Sequence, residues 1–214
     1  MNKANETAAV REFFRKKGIP ETFNEAMPRL RCKLVGDAGK DRLTDGILYV
    51  KELDLAVVPF YDGEEGTGAT YLLPTEVTKI WEKTQAEITQ AALAATWKAY
   101  PPRMQALGDD LYVLSAGSPE TDATWYSFGA VAMVMPDVLL QVASILQADF
   151  YLIPDMMDEV LIIPIREGAE NADPDELRQI LSRIHTAQFA ELPYELILPD
   201  TVYVYRRGIG LTIA

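Results

Sequence analysis

Cysteine and histidine are nearly missing. The 214 residues hold one of each, Cys32 and His185. A lone cysteine excludes an internal disulfide, so the composition does not point to export. A lone histidine means that any His base or His metal ligand must be His185. A zinc site would then need Cys32 and carboxylates beside it, an uncommon donor set. No apolar run approaches the ~20 residues of a membrane span. The opening Met-Asn-Lys-Ala-Asn-Glu-Thr lacks the charged and apolar regions of a secretory signal. The expected location is the cytoplasm, away from membranes.

Positive charge is also scarce, with 20 Lys and Arg against 32 Asp and Glu for a net charge of −12. Nucleic acid and anionic membrane bind through Lys and Arg that displace counterions, so neither is an expected partner. The basic clusters are short. Arg15-Lys16-Lys17 closes a predicted helix, where the dipole favours cations, and Arg206-Arg207 lies near the C-terminus. The familiar catalytic loops are missing too. Asp62-Gly-Glu-Glu-Gly-Thr-Gly68 has glycines but no P-loop Lys-Ser/Thr, and phosphate would meet Glu64 and Glu65 there. Ser115 and Ser118 lack a nucleophile-elbow pattern. Cys32 reads as a buried, inert thiol on the apolar side of a strand. No cofactor is expected.

What is present is an ordinary globular composition, 49% hydrophobic and 24% charged, arranged in a recurring unit. An Asp-led apolar strand, a second apolar strand and a helix follow one another three times. The first copy runs from Asp54-Leu-Ala-Val-Val-Pro-Phe-Tyr61 through 68–73 to a helix at Pro74. The second runs from Asp110-Leu-Tyr-Val-Leu114 through a polar loop over 115–125 and a strand at 128–135 to a helix at Pro136-Asp137. The third runs from Asp149-Phe-Tyr-Leu-Ile153 through 159–165 to a helix at Asp173-Pro174.

Other elements have local signatures. The 29–35 segment alternates Leu30, Cys32 and Leu34 against Arg29, Arg31 and Lys33, as a strand does. Thr84-Gln-Ala-Glu87 is a capping box. Asp173-Pro-Asp-Glu176 starts a helix whose apolar stripe is Leu177, Ile180, Leu181 and Ile184. The 201–205 segment supplies a closing strand, and its exposed edge makes a homodimer plausible. Hairpin connections predict a largely antiparallel sheet with helices covering at least one face. The expectation is a single α+β domain over 1–214, with 1–28 a helical segment loosely attached.

The oddest local sequence is the third turn, Pro154-Asp-Met-Met-Asp-Glu159. Oxygen ligands grouped on a turn suit a divalent cation, whereas Pro and Asp also favour turns for backbone reasons. Met156 and Met157 are adaptable apolar side chains, and one of them fits the core equally well. Asp155, Met156, Met157, Asp158 and Glu159 are candidate binding residues. Tyr203 and Tyr205 join them, as one face of the last strand.

Taken together, these blocks resemble the DUF5688 proteins, uncharacterised proteins of Firmicutes, over roughly 29–206. The resemblance rests on Asp54-Leu-Ala-Val-Val58, Leu111-Tyr-Val-Leu-Ser115, Gly129-Ala130 with Pro136-Asp-Val-Leu139, Asp149-Phe-Tyr-Leu-Ile-Pro154, Glu159-Val-Leu-Ile-Ile-Pro164 and Asp200-Thr-Val-Tyr-Val-Tyr205. More distantly, the block order is similar to DUF1444. The resemblance implies a bacterial source and no known activity. Family members commonly carry a Pro-Ser-Ser-Ile-His-Glu turn; here Pro154 and Glu159 remain, and the serines and histidine do not. That departure favours a non-enzymatic module that binds another protein. The alternative is a metal-assisted hydrolase using Asp155, Asp158 and Glu159 with His185.

Overall fold

A computed structural model of the chain describes residues 3–36, 46–63, 69–117, 128–154, 157–166, 168, 172–188 and 198–214, and for 3–6 and 184–188 the backbone alone. Helix α1 (Lys3–Lys17) stops at Gly18, whose φ of 66° is the left-handed turn a C′ glycine supplies. Phe14 of α1 is fully buried, with its ring 5.5 Å from Trp81. The Trp81 indole donates to Pro20 O at 3.2 Å. A short helix α2 (Phe23–Ala26) and a 3-10 turn (Met27–Arg29) lead into the first sheet.

That sheet is antiparallel throughout. β3 (Leu55–Asp62) lies at its centre, with β1 (Leu30–Gly36) along one side. The other side is shared by β2 (Val50–Glu52) and β4 (Thr70–Leu72). Leu30, Cys32 and Leu34 are all fully buried, as their alternation predicts. On the opposite face Arg31 lies 5.6 Å from the Tyr100 ring and Lys33 5.5 Å from that of Phe128.

Helix α3 (Val77–Trp81) follows β4, and α4 (Gln85–Ala99) starts at the predicted capping box. There Thr84 Oγ1 accepts from Glu87 N at 3.2 Å, and Thr84 N donates to Glu87 Oε2 at 2.8 Å. α4 closes the outer edge of β1. The buried Cys32 amide donates to Thr96 Oγ1 at 3.0 Å, and that hydroxyl donates to Ala92 O at 2.7 Å. Because the Cys32 amide turns away from β3, Cys32 and Pro59 form a non-hydrogen-bonded pair. The Pro59 nitrogen therefore faces the junction between β2 and β4, where the ladder requires no donor.

The second sheet has six antiparallel strands in the order β10-β9-β7-β8-β6-β5. They are β5 (Pro102–Ala106), β6 (Tyr112–Ala116), β7 (Asp149–Pro154), β8 (Glu159–Ile165), β9 (Tyr203–Arg206) and β10 (Gly210–Ile213). One face carries Phe150, Leu152 and Tyr203 into an apolar cluster shared with Leu34, Val57 and Phe14. Helix α5 (Val138–Leu146) contributes Val138, Leu139 and Val142 to the same cluster. The other face packs Ile153 and Val202 against Leu181 and Leu177 of α6 (Pro174–Gln188). The protein is thus α+β with antiparallel sheets, and its units are divided between two sheets.

The leading aspartates are cross-links. Asp54 accepts from Thr201 Oγ1 at 2.6 Å and from Tyr203 Oη at 2.5 Å, joining the β2–β3 turn to the second sheet. Asp110 accepts from Arg166 Nε at 2.8 Å, and Asp149 from the Arg207 amide at 3.1 Å.

Three expectations are corrected. The 128–135 segment is not a strand: Gly129–Val134 is a 3-10 helix, and β6 pairs instead with β5 and β8. A Cβ on Gly129 would sit 2.2 Å from Asp158 O and 2.8 Å from Ala116 N, so this segment presses against the strands without joining their ladder. The repeat therefore holds in two copies, not three. The 201–205 strand is not an edge, because β9 lies between β7 and β10. Ile180 leaves the predicted stripe and is 53% exposed, while Leu181 packs on the sheet. Most of the polar loop (118–125), Glu64, Glu65 and Ile184 lie outside the described residues or side chains.

Candidate functional site

Where the two sheets meet, a groove of about 360 Å³ opens to solvent. The 3-10 helix and its exit supply Met133, Val134 and Met135, while α5 supplies Leu139 and Leu140. β9 and β10 add Tyr205 and Leu211, and Glu52 at the end of β2 closes the side formed by the first sheet. Asp137, just ahead of α5, adds a second carboxylate. The lining is thus thioether, aliphatic and aromatic, with two carboxylates that remain exposed.

The backbone beside both carboxylates is strained. Leu53, next to Glu52, has φ 57°, and Asp137 has φ 62°. Non-glycine residues in this left-handed region cost on the order of 1–3 kcal/mol each; Glu82 and Gln147 share it at helix C-caps outside the groove. Asp137 sits at the N-cap of α5 yet makes no side-chain cap bond. The residue is exposed and lines the groove.

Tyr205 is the sequence-predicted candidate that lines the groove. Its ring stacks on Phe150 at 5.2 Å, which fixes its plane. Tyr203 is fully buried, and its hydroxyl is held by Asp54. The 154–159 turn lies elsewhere. Met157 turns into the core at 5% exposure, and its carbonyl accepts from Ala130 N at 2.9 Å. Asp158 Oδ1 is buried and meets no hydrogen-bond partner among the described residues. Glu159 opens β8 opposite Ser115. Asp155, Met156 and the His185 side chain lie outside the described residues and side chains. Among the described residues no three His, Cys, Asp or Glu side chains gather as metal ligands.

Cys32 is fully buried, and burial pushes its thiol well above the usual cysteine range, so it is no nucleophile. A second groove of about 440 Å³ runs along alanines of α4 beside Met27, Pro28 and Lys98. It lacks the convergent polar groups of a ligand site.

Sequence reasoning missed Glu52, Met135, Asp137 and Leu211. The left-handed backbone at Leu53 and Asp137 has no sequence mark, since neither residue is the glycine such a turn favours. No helix of the described residues is long and apolar enough to cross a membrane. No curated protein and no solved structure matches the chain. A family model described as a family of unknown function, DUF5688, matches residues 7–207, and the chain belongs to that family.

Proposed function

We propose that the protein is a non-enzymatic binding module of the cytoplasm that seats its ligand in the groove between the sheets. The observation that carries this reading is the convergence of side chains from both sheets on one opening. An apolar floor with a few placed polar groups is the usual make-up of a ligand site. Its polar groups are two carboxylates and the Tyr205 hydroxyl, with no imidazole or thiol among the described lining residues. The chemistry on offer is apolar contact and negative charge. That suits a ligand with an apolar body and a cationic group, and the net charge of −12 favours its approach.

The test is a chemical-shift titration with a panel of amphipathic amines, their carboxylate counterparts and neutral analogues. The amines should move the amide signals of Met135, Leu140, Tyr205 and Leu211, and a broad hydrolase screen should stay silent. Shifts absent from these residues with every compound, or turnover in the screen, would contradict the reading.

A further inference from the structure

The six-stranded sheet has two edges, and they differ. At β5, Gly117 N–H donates to Pro101 O at 3.3 Å, which sets the ladder parity. Pro102, Met104 and Ala106 therefore turn their backbone groups outward. Proline has no amide to offer there, and the exposed side chain of Arg103 stands beside it, two ordinary protections of an edge. β10 is Gly-Leu-Thr-Ile, with neither proline nor charge. Ala214 N–H donates to Val202 O at 2.9 Å, in step with the Thr212–Val204 pair. The amides and carbonyls of Leu211 and Ile213 thus point away from β9. Among the described residues no strand pairs beyond them. Ile209 and Ile213, 71% and 49% exposed, extend the apolar character of this edge.

The same strand is a wall of the groove. Leu211 and Ile213 are paired with Tyr205 and Tyr203, so their side chains share the core face, and Leu211 lines the opening. A strand laid along β10 would place every second side chain on that face, towards the groove that Glu52 and Asp137 rim. Neither carboxylate is paired with a basic side chain among the described residues.

We propose that β10 accepts an extended segment of a partner protein as an added strand, with a lysine or arginine directed into the groove. The inference rests on the groove being the binding seat and names the class of its occupant. Main-chain bonds to Leu211 and Ile213 supply affinity, and the groove reads alternate side chains. The carboxylates select cations, as charge complementarity across an interface does.

The test is fluorescence anisotropy with a labelled Val-Lys-Val-Lys-Val-Lys peptide. Two further peptides carry N-methyl groups on one or the other alternate set of amides. Only one set faces β10 in an added strand, so one methylated peptide should bind at least about tenfold more weakly and the other should not. Replacing the lysines by glutamate should abolish binding. The protein variant Ile213→Pro should weaken it, and Glu52→Gln with Asp137→Asn should erase the preference for lysine. Methylated peptides that bind alike would overturn the proposal even where Ile213→Pro fails to fold. A dimer of the unliganded protein that Ile213→Pro dissolves would also overturn it, by making a second copy the occupant. If amphipathic amines still move the groove signals while the methylated peptides bind alike, strand addition alone falls; if neither ligand engages the groove, the binding-seat reading falls with it.

Discussion

The hydroxyl of Thr96 receives the Cys32 amide at 3.0 Å and donates to the Ala92 carbonyl at 2.7 Å, where both partners are buried. Thr96→Val preserves shape and removes the acceptor, leaving a buried amide unpaired. The expected loss is about 1–3 kcal/mol, read as a lower urea midpoint with an unchanged slope. Thr96→Ser should recover most of it. Cys32 itself was legible as an inert, inward residue because alternation alone places it there. Its tie to Thr96 was not, since the two residues stand 64 positions apart. The fully buried thiol should resist a disulfide reagent in the native protein and react at the rate of global unfolding. Fast labelling of folded protein would contradict the closed β1 edge.

Elements divide by how local their causes are. The α4 start was legible in full, because Thr84 and Glu87 lie within one turn of each other. The Thr84 amide and hydroxyl, followed by Lys83, hold the exposed Glu87 carboxyl down to about 2 from its usual 4.5. A carboxyl whose folded pKa is depressed stabilises above its unfolded pKa and loses that stabilisation as pH falls towards the folded value. Glu87→Ala should therefore lower the urea midpoint at pH 6, and the difference should narrow between pH 4.5 and about 2. The 128–135 segment was misread because a continuous apolar run has no period that separates strand from helix. What decides it is tertiary: Gly129 packs on Asp158 O and Ala116 N, and Ala130 N bonds to Met157 O. Gly129→Ala has only backbone to push against and should cost about 3 kcal/mol or more. The 154–159 turn was conspicuous for its acids and methionines. Met157 instead serves this packing.

At the scale of the whole molecule, the two sheets share one apolar cluster and are linked through Asp54, Thr201 and Tyr203. We propose that they unfold as one unit. The α+β class was legible from hairpin connections and helix starts. The strand order was not, because β10 follows Gly208 and opens on Gly210 in a segment that offers little alternation. The groove was illegible for a different reason: Glu52, Asp137 and Leu211 line one opening only once both sheets are assembled. The edge of β10 beside that groove pairs with no further strand among the described residues, and amide hydrogen exchange resolved by residue tests most directly whether it is open. In the protein alone, Thr212 and Ala214 should be protected, while Leu211 and Ile213 exchange near the rate of free peptide. Adding the lysine–valine peptide should slow Leu211 and Ile213. Protection of Leu211 and Ile213 in the unliganded monomer would contradict the account, since it would mean that the edge is already occupied.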